Sequence, residues 1–85
     1  MLVSRERECL RAIKGITAGG EFSKKRATRV SISRRMNVST EYVGYLCKRL
    51  EDRGFITGHP MRGYQLTEDG EAVYDYVRAR REIWH

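Results

Sequence analysis

The chain has 85 residues, of which 40% are hydrophobic and 33% charged, and its formal net charge is +6. This length suits one domain, over residues 1–85, with a single modest core, which argues against a deep enzyme pocket with two substrate sites. The composition is typical of a folded soluble domain. No run approaches the roughly 18 apolar residues of a membrane span, and the charged N-terminus does not resemble a signal peptide, so a cytoplasmic location and no membrane partner are expected.

The first predicted element is a helix over residues 5–17. Apolar side chains recur there at steps of three and four residues, at Cys9, Leu10, Ile13 and Ile16. Ser4 is expected to cap its N-terminus, with Glu6 in the first turn, and Gly19 and Gly20 to end it. Residues 21–26 are expected to form a short extended or loop segment.

Two further helices are predicted on either side of a tight turn. Thr28 is a suitable cap for a second helix that runs to about Met36, and Asn37 is able to adopt the left-handed turn that follows. Ser39 then caps a third helix over residues 40–53, which is the clearest element in the chain. One apolar stripe runs along it, formed by Val43, Leu46, Cys47 and Leu50.

A hairpin and a fourth helix complete the predicted order. Residues 55–58 and 63–66 favour two strands around a turn that contains Arg62. Thr67 is expected to cap a fourth helix over about residues 68–83, because acidic side chains crowd its first turn. The fold class is therefore mostly α with a small β-hairpin.

The positive charge is concentrated in one part of the chain. The segment between Lys24 and Arg53 contains nine basic and three acidic side chains, whereas the rest contains eight of each. A polyanion is the natural partner of such a segment. A solvated basic face is the alternative that charge alone leaves open.

Neither the cysteines nor the histidines indicate a metal site or a cofactor. Cys9 and Cys47 are far apart in the sequence, on apolar faces of predicted helices, and form neither a metal-ligand spacing nor a redox pair. Buried free thiols in a reducing compartment are favoured over a disulfide. His59 is in the hairpin and His85 is the last residue. No catalytic motif or glycine-rich phosphate loop is present, so no enzyme activity is expected.

Three short motifs occur in the order of the predicted elements. Residues 33–46 follow a pattern of Ala-x-x-Leu-Gly-Val-Ser, three variable residues and a valine. Val38, Ser39 and Val43 match it outright, and Ser33, Met36 and Asn37 stand at the alanine, leucine and glycine. Residues 48–56 are similar to the pattern Lys-x-Leu-Glu-x-x-Gly-Leu-Ile, with Phe55 at the position of the second leucine. Together these segments resemble the winged helix-turn-helix of prokaryotic and archaeal transcriptional regulators, and residues 64–70 are similar to the strand-to-helix junction of the MarR-like and iron-dependent groups.

The resemblance implies a double-stranded DNA partner, with recognition helix 40–53 in the major groove and wing 55–66 near the minor groove. The side chains expected to contact bases are Thr40, Glu41, Tyr42, Gly44 and Tyr45. Those expected to contact phosphates are Lys24, Lys25, Arg26, Arg29, Arg34, Arg35, Ser39, Lys48 and Arg49. Arg62 is expected at the wing tip. For Tyr42 and Tyr45 the alternative is partial burial in the core.

The fourth helix is longer than a domain of this size needs, and it ends in an apolar pair. A homodimer interface is therefore expected there, formed by Tyr76, Arg80, Ile83 and Trp84. The alternative is that this helix only packs on the first helix. The expected function is sequence-specific DNA binding by a homodimeric transcriptional regulator. The alternative is a winged-helix module that binds a protein or RNA.

Overall fold

Four helices and one two-stranded antiparallel sheet form the described part of the chain. A computed structural model describes residues 2–18 and 26–83, with side chains as far as residue 76. The elements are α1 (Ser4–Thr17), α2 (Arg29–Met36), α3 (Thr40–Asp52), β1 (Ile56–His59), β2 (Gly63–Leu66) and α4 (Glu68–Ile83). The expected mostly helical chain with a small hairpin is confirmed.

Side-chain oxygens cap three of the helices as expected. Thr28 Oγ1 accepts a hydrogen bond from the Ser31 N–H at 3.2 Å, and Ser39 Oγ accepts one from the Tyr42 N–H at 3.1 Å. Thr67 Oγ1 accepts one from the Gly70 N–H, also at 3.1 Å. Each bond satisfies a donor that the first turn of a helix leaves without a backbone partner.

The expected cap of α1 is wrong by one residue. Ser4 is already helical, and Val3 is the N-cap, with extended backbone at φ −78° and ψ 164°. The Val3 N–H donates to Glu6 Oε1 at 3.0 Å, so a carboxylate from the first turn reaches back to the cap. The Ser4 hydroxyl does not act as the cap, because Ser4 is itself part of the helix.

The turn between α2 and α3 depends on a left-handed residue. Asn37 has φ 59° and ψ 48°, which confirms the expected conformation. The Val38 N–H then donates to the Ser33 carbonyl at 3.1 Å, which closes the end of α2. Only two residues separate Asn37 from the start of α3, so the helices meet at a tight corner.

The hairpin is attached to the start of α2. Ile56 pairs with Leu66 and His59 with Gly63. The Tyr64 N–H donates to the Ala27 carbonyl at 2.9 Å, and the Arg29 N–H donates to the Pro60 carbonyl at 3.0 Å. Ala27 thus forms an isolated bridge to the hairpin. The predicted extended segment lies outside the described residues except for Arg26.

The core lies between α1, α2, α3 and the hairpin. Its largest fully buried apolar side chains are Leu10, Ile13, Ile32, Leu46, Leu50 and Ile56. Cys9 and Cys47 are buried free thiols, as expected, but their sulfurs are 3.9 Å apart. The cysteines are 38 positions apart in the sequence, which did not indicate this contact. No helix within the described ranges is long and apolar enough to span a membrane.

Candidate nucleic-acid interface

One side of α3 is buried and the opposite side is open to solvent. Val43, Leu46, Cys47 and Leu50 are at most 1% exposed, which confirms the apolar stripe. Glu41, Tyr45 and Lys48 are exposed on the opposite side, and Tyr45 retains 56% of its accessible surface. Thr40, Tyr42 and Gly44 are half-buried at its edges. The face therefore combines an aromatic ring, an acid and a base.

Aromatic and guanidinium groups are stacked along this face. The Tyr42 and Tyr45 rings have centroids 6.2 Å apart and an interplanar angle of 16°. Arg49 Cζ is 5.6 Å from the Tyr45 ring centroid, within the range of a cation–π contact. Tyr42 packs partly against the core, so the alternative of partial burial holds for Tyr42 but not for Tyr45.

A buried acid holds the C-terminal half of α3 against α1. Glu6 has no exposed surface, and its carboxylate accepts a hydrogen bond from Arg49 Nε at 2.8 Å. Arg53 Nη1 lies 3.5 Å from its other oxygen. Desolvation raises the pKa of Glu6, but the Val3 N–H, Arg49 and Arg53 outweigh it and hold that pKa below its ordinary value. The carboxylate is therefore a buried anion that binds Arg49 closely and has Arg53 nearby.

The sequence pattern indicated only that Glu6 lies in the first turn of α1. A signal for burial was present, because Glu6 precedes Cys9 by three residues and Leu10 by four, and so shares their face. The contact has a consequence for Arg49, which was expected to contact phosphate. Its Nε is engaged by Glu6, although the side chain remains 47% exposed. Its role at phosphate stays a prediction.

A glycine of α3 lies under an arginine of α2. A Cβ atom built on Gly44 would be 2.9, 3.0 and 3.1 Å from Nη2, Cζ and Nε of Arg29. These distances are shorter than ordinary van der Waals contacts, so the guanidinium occupies the space that a side chain at position 44 would need. Arg29 therefore lies at the edge of the exposed α3 face.

Arg35 lies in a similar way on a different surface. A Cβ atom on Gly15 of α1 would overlap the Arg35 guanidinium. Arg35 also lines an open cavity of about 410 Å³ with Glu8, Arg11 and Tyr74, and no residue of α3 contributes to that cavity. Arg35, which was expected to contact phosphate, therefore extends towards α1 and α4.

The hairpin brings together two arginines that are distant in the sequence. Arg26 and Arg62 line one cavity of about 160 Å³ with Ala27, Gly63 and Tyr64 among its walls. Both side chains are exposed. Of the other residues expected at phosphates, Arg34, Ser39 and Lys48 are exposed, whereas Lys24 and Lys25 lie outside the described residues.

The predicted dimer surface is described only in part. Tyr76 is 60% exposed, while Val73 and Tyr74, three and two residues earlier in α4, pack partly against the core. Arg80 and Ile83 belong to α4, but their side chains lie outside the described part of the chain, as does the whole of Trp84.

Comparison with known proteins does not identify a family for this chain. No protein-family model matches the chain, and no curated protein is significantly similar to it. Among the side chains that the structure describes, no group of three His, Cys, Asp or Glu residues is arranged to hold a metal ion.

Proposed function

We propose that this chain is a winged helix-turn-helix domain that binds double-stranded DNA sequence-specifically and regulates transcription. In this proposal α2 and α3 form the helix-turn-helix, and the hairpin of β1 and β2 is the wing. The α3 helix enters the major groove, where the base edges present a distinct donor and acceptor pattern for each base pair. The wing lies near the adjacent minor groove, with Arg62 at its tip.

The observation that carries the proposal is the open face of α3, which is bordered by an arginine guanidinium. Tyr45 and Lys48 are exposed there, and no described residue covers that face. Arg29 lies at its edge, and Arg26 and Arg62 lie together at the hairpin. Clustered guanidinium groups on a helix that only faces solvent have no anion to neutralise them. The phosphates on both sides of a DNA groove would provide the counter-charge.

The proposed contacts divide by position. Thr40, Glu41, Tyr42 and Tyr45, in the first half of α3, contact base edges. The proposed phosphate contacts are Lys24, Lys25, Arg26, Arg29, Arg34, Ser39, Lys48 and Arg49. Arg35 is not included, because its guanidinium lies over Gly15 on the surface of α1.

The domain is proposed to act as a homodimer through α4. The exposed ring of Tyr76 supports this, because a two-fold contact would pair the same apolar patch with itself. Such a dimer would present two recognition helices to half-sites about one duplex turn apart. Sedimentation equilibrium at micromolar concentration tests it: a parent dimer that dissociates in Trp84→Ala supports the contact, and a monomer of 9.9 kDa in both proteins contradicts it.

DNA binding itself is tested by selecting bound sequences from a random duplex pool and titrating the selected duplex with salt. Neutralising roughly six phosphates predicts about a thousandfold loss of affinity between low and moderate salt. Duplex RNA of the same sequence serves as the competitor. No binding at low salt, salt-independent binding, or equal competition by RNA would each contradict the proposal.

A further inference from the structure

Gly44 and Arg29 are complementary in shape, and the contact joins two elements of the proposed DNA-binding surface. Three atoms of the guanidinium approach the position where a Cβ of residue 44 would lie, all within 3.1 Å of it. Gly44 is in the interior of α3, where glycine weakens a helix relative to alanine. Its backbone is in the ordinary helical region, since among the described glycines a positive φ occurs at positions 54, 58 and 63. The helix conformation therefore does not require glycine at this position.

The backbone of Arg29 is fixed by contacts with the hairpin and with the N-terminus of α2. Its N–H donates to the Pro60 carbonyl at 3.0 Å, and Thr28 beside it is the N-cap of α2. The side chain thus extends from a fixed point between the hairpin and α2 to the surface of Gly44. A Cβ atom at position 44 would require the guanidinium to shift from this location.

The Arg29 guanidinium keeps its donors available. Among the described residues, no carboxylate forms an ion pair with it and no acceptor forms a hydrogen bond with it. Arg49, in contrast, already donates its Nε to the buried Glu6. A guanidinium presents a planar fork of donors that matches the oxygens of a phosphate.

We propose that Gly44 is a positioning residue, which seats the Arg29 guanidinium at the edge of α3, and that Arg29 binds a phosphate of the DNA backbone from this seat. The inference rests on the proposed function and changes the role expected for Gly44. Gly44 acts on DNA through Arg29 and not through close approach of its own backbone to a base. Arg29 binds at the edge of the groove because it comes from α2 and lies beside the exposed face.

Substitution of Gly44 separates this role from a structural one. Gly44→Ala favours the helix, and the far end of the arginine side chain can move aside, so the thermal midpoint is expected to stay unchanged or rise. The affinity for the selected duplex is expected to fall about tenfold, the effect of losing one charged contact. Arg29→Ala, in a protein that retains Gly44, should reduce the affinity for the selected duplex by the same factor.

A double-mutant cycle gives the decisive measurement. If Gly44 acts through Arg29, the double variant Gly44→Ala/Arg29→Ala loses about tenfold, whereas independent contributions would multiply to about 100-fold. The slope of log affinity against log salt should decrease by about one in both single variants and in the double variant. Gly15→Ala is the matched control. It displaces the Arg35 guanidinium from the surface of α1 in the same manner, and it should leave the affinity for DNA unchanged.

Several results would overturn the inference while leaving the proposed function intact. Multiplying losses would mean that Gly44 contacts DNA by itself, and unchanged binding by Arg29→Ala would remove Arg29 from the interface. A loss of affinity with an unchanged salt slope and an altered base preference would assign Arg29 to a base. Absence of salt-dependent DNA binding by the parent protein would instead contradict the proposed function, and the inference with it.

Discussion

Glu6→Gln is expected to destabilise the fold, because it removes a buried charge on which two arginines converge. Glutamine keeps the volume of the side chain, and its one carbonyl oxygen can accept from either the Val3 N–H or Arg49, but not with the geometry of both. The amide nitrogen of the glutamine, itself a donor, would then face the other of these two donors, from which a carboxylate oxygen of Glu6 now accepts a hydrogen bond. The change tests a polar contact without opening a cavity.

The contacts of Glu6 set the size of the effect. The bond from Arg49 Nε at 2.8 Å is short and charge-assisted, whereas the 3.5 Å approach of Arg53 Nη1 is too long to contribute much. A hydrogen bond to a charged group contributes about 1.5–3 kcal/mol. Because the two arginine side chains are 47% and 35% exposed and can turn to water, the lower part of that range applies. A loss of about 2 kcal/mol corresponds to a fall of roughly 8–16 °C in the thermal midpoint of a domain of this size.

Thermal and urea unfolding at pH 7 measure this loss, with Glu8→Gln as the matched control on the same helix. Glu8 pairs with Arg5 at 2.9 Å, but both side chains are about half exposed, so the control should change stability by at most about 0.5 kcal/mol. Equal stability of the two variants would refute the role assigned to Glu6.

The pH dependence gives a second check. Folding lowers the pKa of Glu6, so its contribution is present above the unfolded value near 4.5 and is lost as the pH falls through the lower folded value. The stability difference between the parent and Glu6→Gln should therefore shrink as the pH decreases below about 4.5. A difference that stays constant down to pH 3 would contradict an ionised buried carboxylate.

Three further predictions follow from individual contacts. Gly70→Ala should destabilise the protein by about 2 kcal/mol or more, because the new Cβ would overlap the Phe55 carbonyl oxygen; unfolding no easier than in the parent would contradict this. Cys9 and Cys47 are at most 1% exposed, so both thiols should react with a thiol reagent only as fast as the protein opens; a rapid reaction in the native state would show them accessible. Tyr45→Ala should relax base preference more than it lowers affinity for random duplex, and repeated selection measures this; an equal loss on all sequences would assign Tyr45 to the backbone.

Local signals in the sequence predicted most of the secondary structure. Thr28 and Ser39 cap α2 and α3, Asn37 forms the left-handed turn between them, and the apolar stripe of α3 is buried. Each of these features depends on groups within about four residues of one another, so the sequence displays both partners side by side. The exposed positions of α3 follow from the same period, which is why its solvent-facing side chains could be named in advance.

Tertiary contacts determined where each charged side chain lies and which residue it contacts. Glu6 and Arg49 are 43 residues apart, and nothing in the local pattern of either indicates the other. Arg29, Arg35 and Arg49 appeared equivalent as basic residues of one segment, yet they lie over Gly44, over Gly15 and against Glu6. A long flexible cation adopts the position with the best partner or the most room, and both depend on which helices pack together. Sequence periodicity determines which face of a helix is buried. Only the packing of that face determines which charged side chains at its edges already contact another residue of the protein.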